Sequence, residues 1–515
     1  MSLVKAIATI GGWTVLSRIT GLMREMLVAR YLGAGTVADA FFVAFRFPNM
    51  FRALFAEGAF NAAFVPLFAG KLEAEGQAAA RQFAEHCFAV LAAALLGFVA
   101  VMEIMMPWAI YGLASGFDDT PGKLVLATEL SRITFPYLLF ISMVSLQSGV
   151  LNAMGRFAAA AGTPVLLNLT SMAVLVALVP YVETAGHAMA WGVFASGVAQ
   201  FSWLVYSVRR VGMGLRLVRP RLTPEVRLML KRVVPGAVGA GVYQVNLLIN
   251  TMIASQVANG AVSYLNYADR VNQLPLGVVG IAIGTALLPL LSRQLRAGET
   301  AAALESQNRA MEFGMLLTLP AAFAFLVIAH PIIAVLFERG SFSAADSAAV
   351  TPALMAFALG LPAYVLVKVL TPGFFARQDT KTPVKIALLT VLINVGLNLL
   401  LMGPLAHVGM ALSTAIAAWL NVCILAWTLK RRGYFAIDRR LSDRLWRILL
   451  AALVMAGALR LAEWGLASML AAHGLRVLGL CLLLAVGAAT FAMAALLTGA
   501  ARLDEMKAML RRRKS

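Results

Sequence analysis

Apolar residues fill this chain in runs of twenty or more, broken by short polar intervals, from the first turns to beyond residue 490. A helix crosses the hydrocarbon of a bilayer with about 20 predominantly apolar residues. Laid along the chain, that length predicts fourteen spanning helices, over 6–32, 36–67, 84–112, 127–153, 160–181, 187–208, 228–255, 261–291, 310–337, 349–375, 383–403, 408–429, 446–470 and 475–499. The expected fold is all-α and integral to a membrane. The first, second and eighth stretches stand apart because each carries several charges.

The polar intervals alternate in character. Those following odd-numbered helices are almost free of positive charge: 33–36, 179–188, 254–261 and 402–408 contain no Lys or Arg, and Lys123, Arg339 and Arg476 are single exceptions. Those following even-numbered helices are basic, above all 209–232 and 430–447, and the tail ending "MLRRRKS" belongs with them. Short basic loops stay on the cytoplasmic side. Both termini are therefore expected in the cytoplasm, and the alternation by itself calls for an even number of helices. The first apolar run continues into charged sequence without a small-residue cleavage site, so a removable signal peptide is not expected.

The two longest basic intervals divide the chain into helices 1–6 (residues 1–210), helices 7–12 (211–432) and a final pair with its basic tail (433–515). The first two blocks repeat weakly. "GAFNAAFVPLFAGKLEAEG" (58–76) parallels "GIAIGTALLPLLSRQLRAGE" (280–299), aligning Pro66 with Pro289. "NAMGRFAAAAGTPVLLNL" (152–169) parallels "TPGFFARQDTKTPVKIALL" (371–389), aligning the Thr-Pro pairs at 163 and 382. Two six-helix lobes in the same orientation are parallel repeats, an architecture that places a transport site between lobes that rock against each other.

Composition agrees with the pattern. Only 13% of residues are charged and 61% are hydrophobic, whereas a soluble domain carries about 25% charged residues. The net charge of +19 would suggest nucleic acid in a soluble protein. Here it resides in the cytoplasmic intervals and is a topology signal, so nucleic acid is not an expected partner. Cys87, Cys423 and Cys481 lie in apolar runs without ligand spacing, and the five histidines are scattered. No metal or other cofactor is expected.

The charges inside the membrane carry the functional signal. "SRITGLMREMLVARYLG" (17–33) contains Arg18, Arg24, Glu25 and Arg30, although a charge at the bilayer centre costs roughly 2.5 kcal/mol or more. At about 100° per residue, Arg18 and Glu25 share one helix face. In "ADAFFVAFRFPNMFRALFAEGAF" (38–60), Asp39, Arg46 and Glu57 fall near one line, with Asn49 and Arg52 on an adjoining face. Pro48 breaks the backbone ladder among them, which is tolerated only beside protein or water. "YLNYADRVNQLP" (264–275) adds Asp269 and Arg270, and helix 10 adds Lys368. Arg30 lies near a helix end and is expected to snorkel. Arg46 is expected to pair with Asp39, and Arg460 with Glu463. The remaining cations exceed the acids, which points to an anionic ligand, and guanidinium forks suit phosphate oxygens. Short loops leave no room for a catalytic domain, and no His/Asp or metal constellation appears, so an enzyme is not expected.

The stretch "SRITGLMREMLVARYLGAGTVADAFFVAFRFPNMFRALFAEGAFNAAFVPLF" (17–68) resembles the N-terminal signature of the MurJ (MviN) lipid II flippases, within the multidrug/oligosaccharidyl-lipid/polysaccharide exporter superfamily. The resemblance extends over essentially the whole chain. It implies that lipid II, the undecaprenyl-pyrophosphate-linked disaccharide pentapeptide, is moved from the cytoplasmic to the periplasmic leaflet of the bacterial inner membrane, with its headgroup in a central cationic cavity. Positions matching Arg18, Arg24, Arg52, Arg270 and Asp39 are functional in that family, and a groove beside the last two helices takes the polyprenyl tail. Asn49 and Lys368 join these as expected substrate contacts, with Glu25, Arg46, Glu57 and Asp269 as supporting ion pairs. Where some relatives place carboxylates for sodium, this chain has Asn250, Asn394 and Asn398, a weak cation site at most. Membrane potential or an ion gradient is the expected energy source, and a monomer the expected functional form. The alternatives are a flippase for another polyprenyl-pyrophosphate glycan and a multidrug exporter of the same superfamily, against which the arginine excess argues.

Overall fold

The computed structural model describes residues 3–53, 59–472 and 474–501. These residues form helices throughout, with no strand among them. In chain order the helices are α1 (Leu3–Leu32), α2 (Thr36–Phe51), α3 (Ala59–Ala74), α4 (Gly76–Leu113), α5 (Lys123–Thr134), α6 (Tyr137–Ala153), α7 (Phe157–Leu178) and α8 (Ala185–Arg210). They continue as α9 (Pro224–Ser255), α10 (Ala261–Arg296), α11 (Thr300–Phe337), α12 (Ala344–Phe375), α13 (Lys381–Arg431), α14 (Arg439–Gly465), α15 (Ala467–Ala471) and α16 (Arg476–Leu497). Among the described residues nine helical segments are long and apolar enough to cross a membrane. The charged α1 and α10 are not among the nine.

The interval 402–408, expected as a loop, is instead a one-residue break. α13 runs for 51 residues and leaves helical geometry only at Ala406, at φ 48°. A straight helix of that length would measure about 77 Å, over twice the roughly 30 Å of hydrocarbon. Gly409 permits the tight turn, because a Cβ there would lie 2.4 Å from the Leu401 carbonyl oxygen. α13 is thus two helices joined at Ala406.

The chain packs as two compact units. The first comprises residues 1–263 together with Arg339–Phe342. In it α1 lies on α7 and α8, α2 on α5, and α3 on α4, α6 and α9. The second comprises 264–338 and 343–515. There α12 lies between α11 and α13, and α14 packs on α11 and α16 around a core that includes Leu366, Val369, Leu425, Leu441 and Ile448. The sequence boundary at 210/211 follows the repeat, whereas the packing boundary at 263/264 keeps α9 with the first unit.

The repeat is visible in how helices end. α6 closes with Gly155 at φ 70°, the Gly155 amide donating to Asn152 O and the Arg156 amide to Leu151 O. α12 closes in the same way, with Gln378 at φ 61° and bonds from Gln378 to Phe375 and from Asp379 to Phe374. The two left-handed residues are 223 positions apart, the same separation as Pro66 and Pro289. α8 and α13 likewise end at Gly212 and Gly433 with matching bonds. The cap after α12 is pinned further. Arg432 donates to Asp379 Oδ2 at 2.6 Å and to Thr382 Oγ1 at 3.1 Å. Hydrogen bonds from Thr382, then from Arg432, bring the Asp379 carboxyl down to about 2.

Candidate substrate site

In the first unit, α1 is oriented by its contacts with α7. The Asn168 amide donates to Ser17 O at 3.2 Å and to Thr20 Oγ1 at 3.1 Å, and the Trp13 ring lies against Gly162. With that face fixed, Arg18 is exposed and Arg24 is half-buried. Arg24 Nη2 donates to Glu25 Oε1 at 2.7 Å. Glu25 is the buried member of the pair. Arg24 Nε is buried and makes no hydrogen bond among the described residues. One donor of this guanidinium is therefore unspent.

α2 keeps its helical course through Pro48, which has no N–H to offer the Ala44 carbonyl. The Thr134 hydroxyl of α5 supplies the missing donor, 3.1 Å from Ala44 O. The opening is filled by protein, one of the two settings in which such a break is tolerated. Beyond the proline, Phe51 packs edge-on against Phe98 at 5.0 Å and Phe135 at 6.1 Å between ring centres. This fixes the last turn. Arg52, next in sequence, then directs both Nε and Nη2 at Asn49 Oδ1, at 3.1 and 2.8 Å. A carbonyl oxygen orients the fork without taking its charge. Asn49, expected as a substrate contact, is here the residue that aims Arg52.

Asp39 has no exposed surface. Its carboxylate accepts from Lys123 Nζ at 2.7 Å, the Gly260 amide at 2.7 Å, the Ser263 amide at 2.8 Å and the Ser263 hydroxyl at 2.6 Å. Lys123 also donates to Asn259 Oδ1 at 2.8 Å and lies over the Phe117 ring. The cation on Asp39 is thus Lys123 of α5, where the spacing along α2 had pointed to Arg46. Nothing in the local sequence flags this contact across 84 residues, except that Lys123 is the single cation of its interval. Arg460 and Glu463 do pair, at 2.6 Å. Glu57 lies outside the described residues.

In the second unit, Asp269 of α10 accepts from Gln273 one turn later, and the adjacent Arg270 is half-buried. Lys368 projects from α12 as an exposed residue. Asn394 and Asn398 are buried one turn apart on α13, with the Asn398 amide 3.5 Å from Asn394 Oδ1; Asn250 belongs to the first unit. No cluster of metal-ligating His, Cys, Asp or Glu side chains occurs among the described residues. A second polar centre escaped sequence reasoning. Glu312 of α11 is surrounded by Arg309, Arg440 and Arg444, and Arg309 also meets Asp438. This network clamps α14 to α11.

Residues 28–498 match the family model described as lipid II flippase MurJ. The chain belongs to the MurJ family of lipid II flippases. A Rhizobium meliloti relative named "Probable lipid II flippase MurJ" is 46% identical, over 99% of this chain and 97% of its own. The "Lipid II flippase MurJ" of Burkholderia cenocepacia is 38% identical, over 89% of each chain. Among solved structures, a lipid II flippase MurJ in an inward closed conformation matches with a TM-score of 0.78 at 25% identity, covering 94% of this chain and 97% of that one. An inward-facing multidrug resistance MATE family transporter of the MOP superfamily matches with a TM-score of 0.70 at 14% identity, covering 81% and 94%, and so shares the fold. As a MurJ family member built of these helices, the protein is a multi-pass membrane transporter.

Proposed function

We propose that this protein moves lipid II from the cytoplasmic to the periplasmic leaflet of the bacterial inner membrane by alternating access, binding its cargo without chemical change. The observation that carries this reading is Arg24, a guanidinium held within an apolar helix with a buried, unspent Nε. A cation kept at such cost inside a membrane and left with donor capacity is suited to an anion that arrives and leaves. In the first unit the pyrophosphate is received by Arg18, Arg24 and Arg52, with Asn49 aiming Arg52. Arg270 and Lys368 are the second unit's contribution. The chain crosses the membrane fourteen times with both termini cytoplasmic, α13 counting twice, and its lobes by repeat are residues 1–210 and 211–432. The matched caps at Gly155 and Gln378 support that division.

The protein acts as a monomer and needs no cofactor. With asparagines at 250, 394 and 398, membrane potential is the proposed driving force, worth about 2.3 kcal/mol per charge per 100 mV. The deciding experiment measures periplasmic accessibility of lipid II in cells depleted of their own flippase and supplied with this protein. Restored accessibility is expected. Accessibility that stays low at normal membrane levels overturns the reading. If another polyprenyl-pyrophosphate glycan is carried in its place, the cargo assignment fails while the fold-level one stands.

A further inference from the structure

From the α8–α9 interval into the first turns of α9, the chain "GLRLVRPRLTPEVRLMLKRVV" (214–234) does not behave as an ordinary aqueous loop. Val226, Met229 and Val233 turn inward and are buried, while Leu217, Leu222, Leu228, Leu230 and Val234 are exposed between basic residues. The segment is tied down. The Arg216 amide donates to Glu85 Oε1 at 3.1 Å, and Gln77 reaches the Gly212 carbonyl. The acids within this patch are already engaged, Glu85 by Arg81 at 3.0 Å and Glu225 by Lys71 at 3.4 Å. Arg219, Arg221, Arg227, Lys231 and Arg232 have no ion-pair partner among the described residues.

Where α9 begins, Leu222, Pro224, Arg227, Leu228 and Lys231 line a cleft of about 350 Å³. Arg227 and Lys231 are one turn apart, so their cationic ends can share one phosphate. Leu222 and Leu228 give the same cleft an apolar wall. α9 has 32 residues, about 48 Å of helix against roughly 30 Å of hydrocarbon. If Ser255 is set at one interface, the excess length puts the first three turns of α9 at the headgroup level of the other.

We propose that this cleft binds an anionic phospholipid of the surrounding leaflet, its phosphate held between Arg227 and Lys231 and an acyl chain laid on Leu222 and Leu228. The commitment to a membrane lipid rests on the mixture of surfaces. A free phosphate has no use for the leucines, and an aqueous partner would leave them exposed. Cations at a bilayer surface attract anionic lipid, and the stems of Arg and Lys cover apolar surface while their heads stay polar.

The test places a photoreactive benzoyl-phenylalanine at Leu222 in the full-length protein, reconstituted in phosphatidylcholine vesicles containing a minor fraction of phosphatidylglycerol. Crosslinks should favour phosphatidylglycerol over its mole ratio by on the order of tenfold. Arg227→Gln with Lys231→Gln should abolish the preference, whereas Arg227→Lys should largely keep it. Thermal melting of each variant checks that the fold is intact. Crosslinks that follow bulk lipid composition, or a preference that survives the double substitution, overturn the proposal. So does displacement of phosphatidylglycerol by equimolar lipid II, which would assign the cleft to the transported substrate.

Discussion

Lys123 Nζ lies 2.7 Å from Asp39 Oδ2, and both side chains are withdrawn from solvent. Removing one member of a buried pair strands the other and costs about 3–5 kcal/mol. Lys123→Met should therefore lower the melting temperature of the purified protein sharply, and Asp39→Asn added to it, which removes the stranded charge and keeps an oxygen for the Ser263 donors, should recover part of the loss. A single Lys123→Met variant that melts like the parent would show that the pair contributes nothing.

The bond from Thr134 to the Ala44 carbonyl stands in for one that Pro48 cannot make. Leaving a buried carbonyl without a donor costs about 1–3 kcal/mol. Thr134→Val, which keeps the volume, should destabilise by that amount. Thr134→Ser, which keeps the hydroxyl, should be milder. Equal melting temperatures for the two variants would assign the position to packing alone.

If Arg24 and Arg52 receive a pyrophosphate, charge and fork geometry should both matter. At equal membrane levels, growth of flippase-depleted cells should fall in the order wild type, Arg52→Lys, Arg52→Ala, and the same order should hold at Arg24. Loss of one charge-assisted contact is worth about 1.5–3 kcal/mol, roughly tenfold to a hundredfold in headgroup affinity. Asn49→Ala, which removes the oxygen that aims Arg52, should resemble Arg52→Lys. Alanine variants that support growth and flipping as well as wild type would make these arginines structural.

The fourteen-span reading requires α13 to cross twice. A cysteine at Leu405, beside the break at Ala406, should be labelled from outside intact cells by an impermeant thiol reagent. Cysteines at Gln378 and Gly433 should be labelled only after permeabilisation. The reverse pattern would invert the topology.

The Asp379 carboxyl titrates at about 2, below its ordinary 3.8, so folding favours its ionised form. Its stabilising contribution is complete above the ordinary value and is lost as pH falls through the folded one. Hydrogen exchange in residues 376–383 should therefore be flat from pH 7 to about 4 once corrected for intrinsic rates, and should rise between about 4 and 2. In Asp379→Asn that acid-induced rise should be absent.

The sequence carried what is periodic or local. Span lengths, the alternation of basic intervals and the arginine-bearing α1 were legible because each is written in neighbouring residues. Pro48 announced that something must fill the gap it opens, but not that Thr134 fills it. The partner of Asp39 was missed because Arg46 is near in sequence and Lys123 is near only in space. That contact also accounts for an irregularity in the charge pattern. Lys123 and Arg476 are the single cations of their intervals, and each faces a carboxylate, Asp39 and Glu338 respectively.

Gln378 occupies a left-handed backbone conformation that Gly155 adopts in the other half of the repeat. For a residue with a side chain that conformation costs roughly 1–2 kcal/mol. The paired capping hydrogen bonds hold the turn in both places, whichever of the two amino acids occupies it. Gln378→Gly would restore the relaxed form, and the two halves of the molecule would then share not only a shape at this corner but the residue best suited to it.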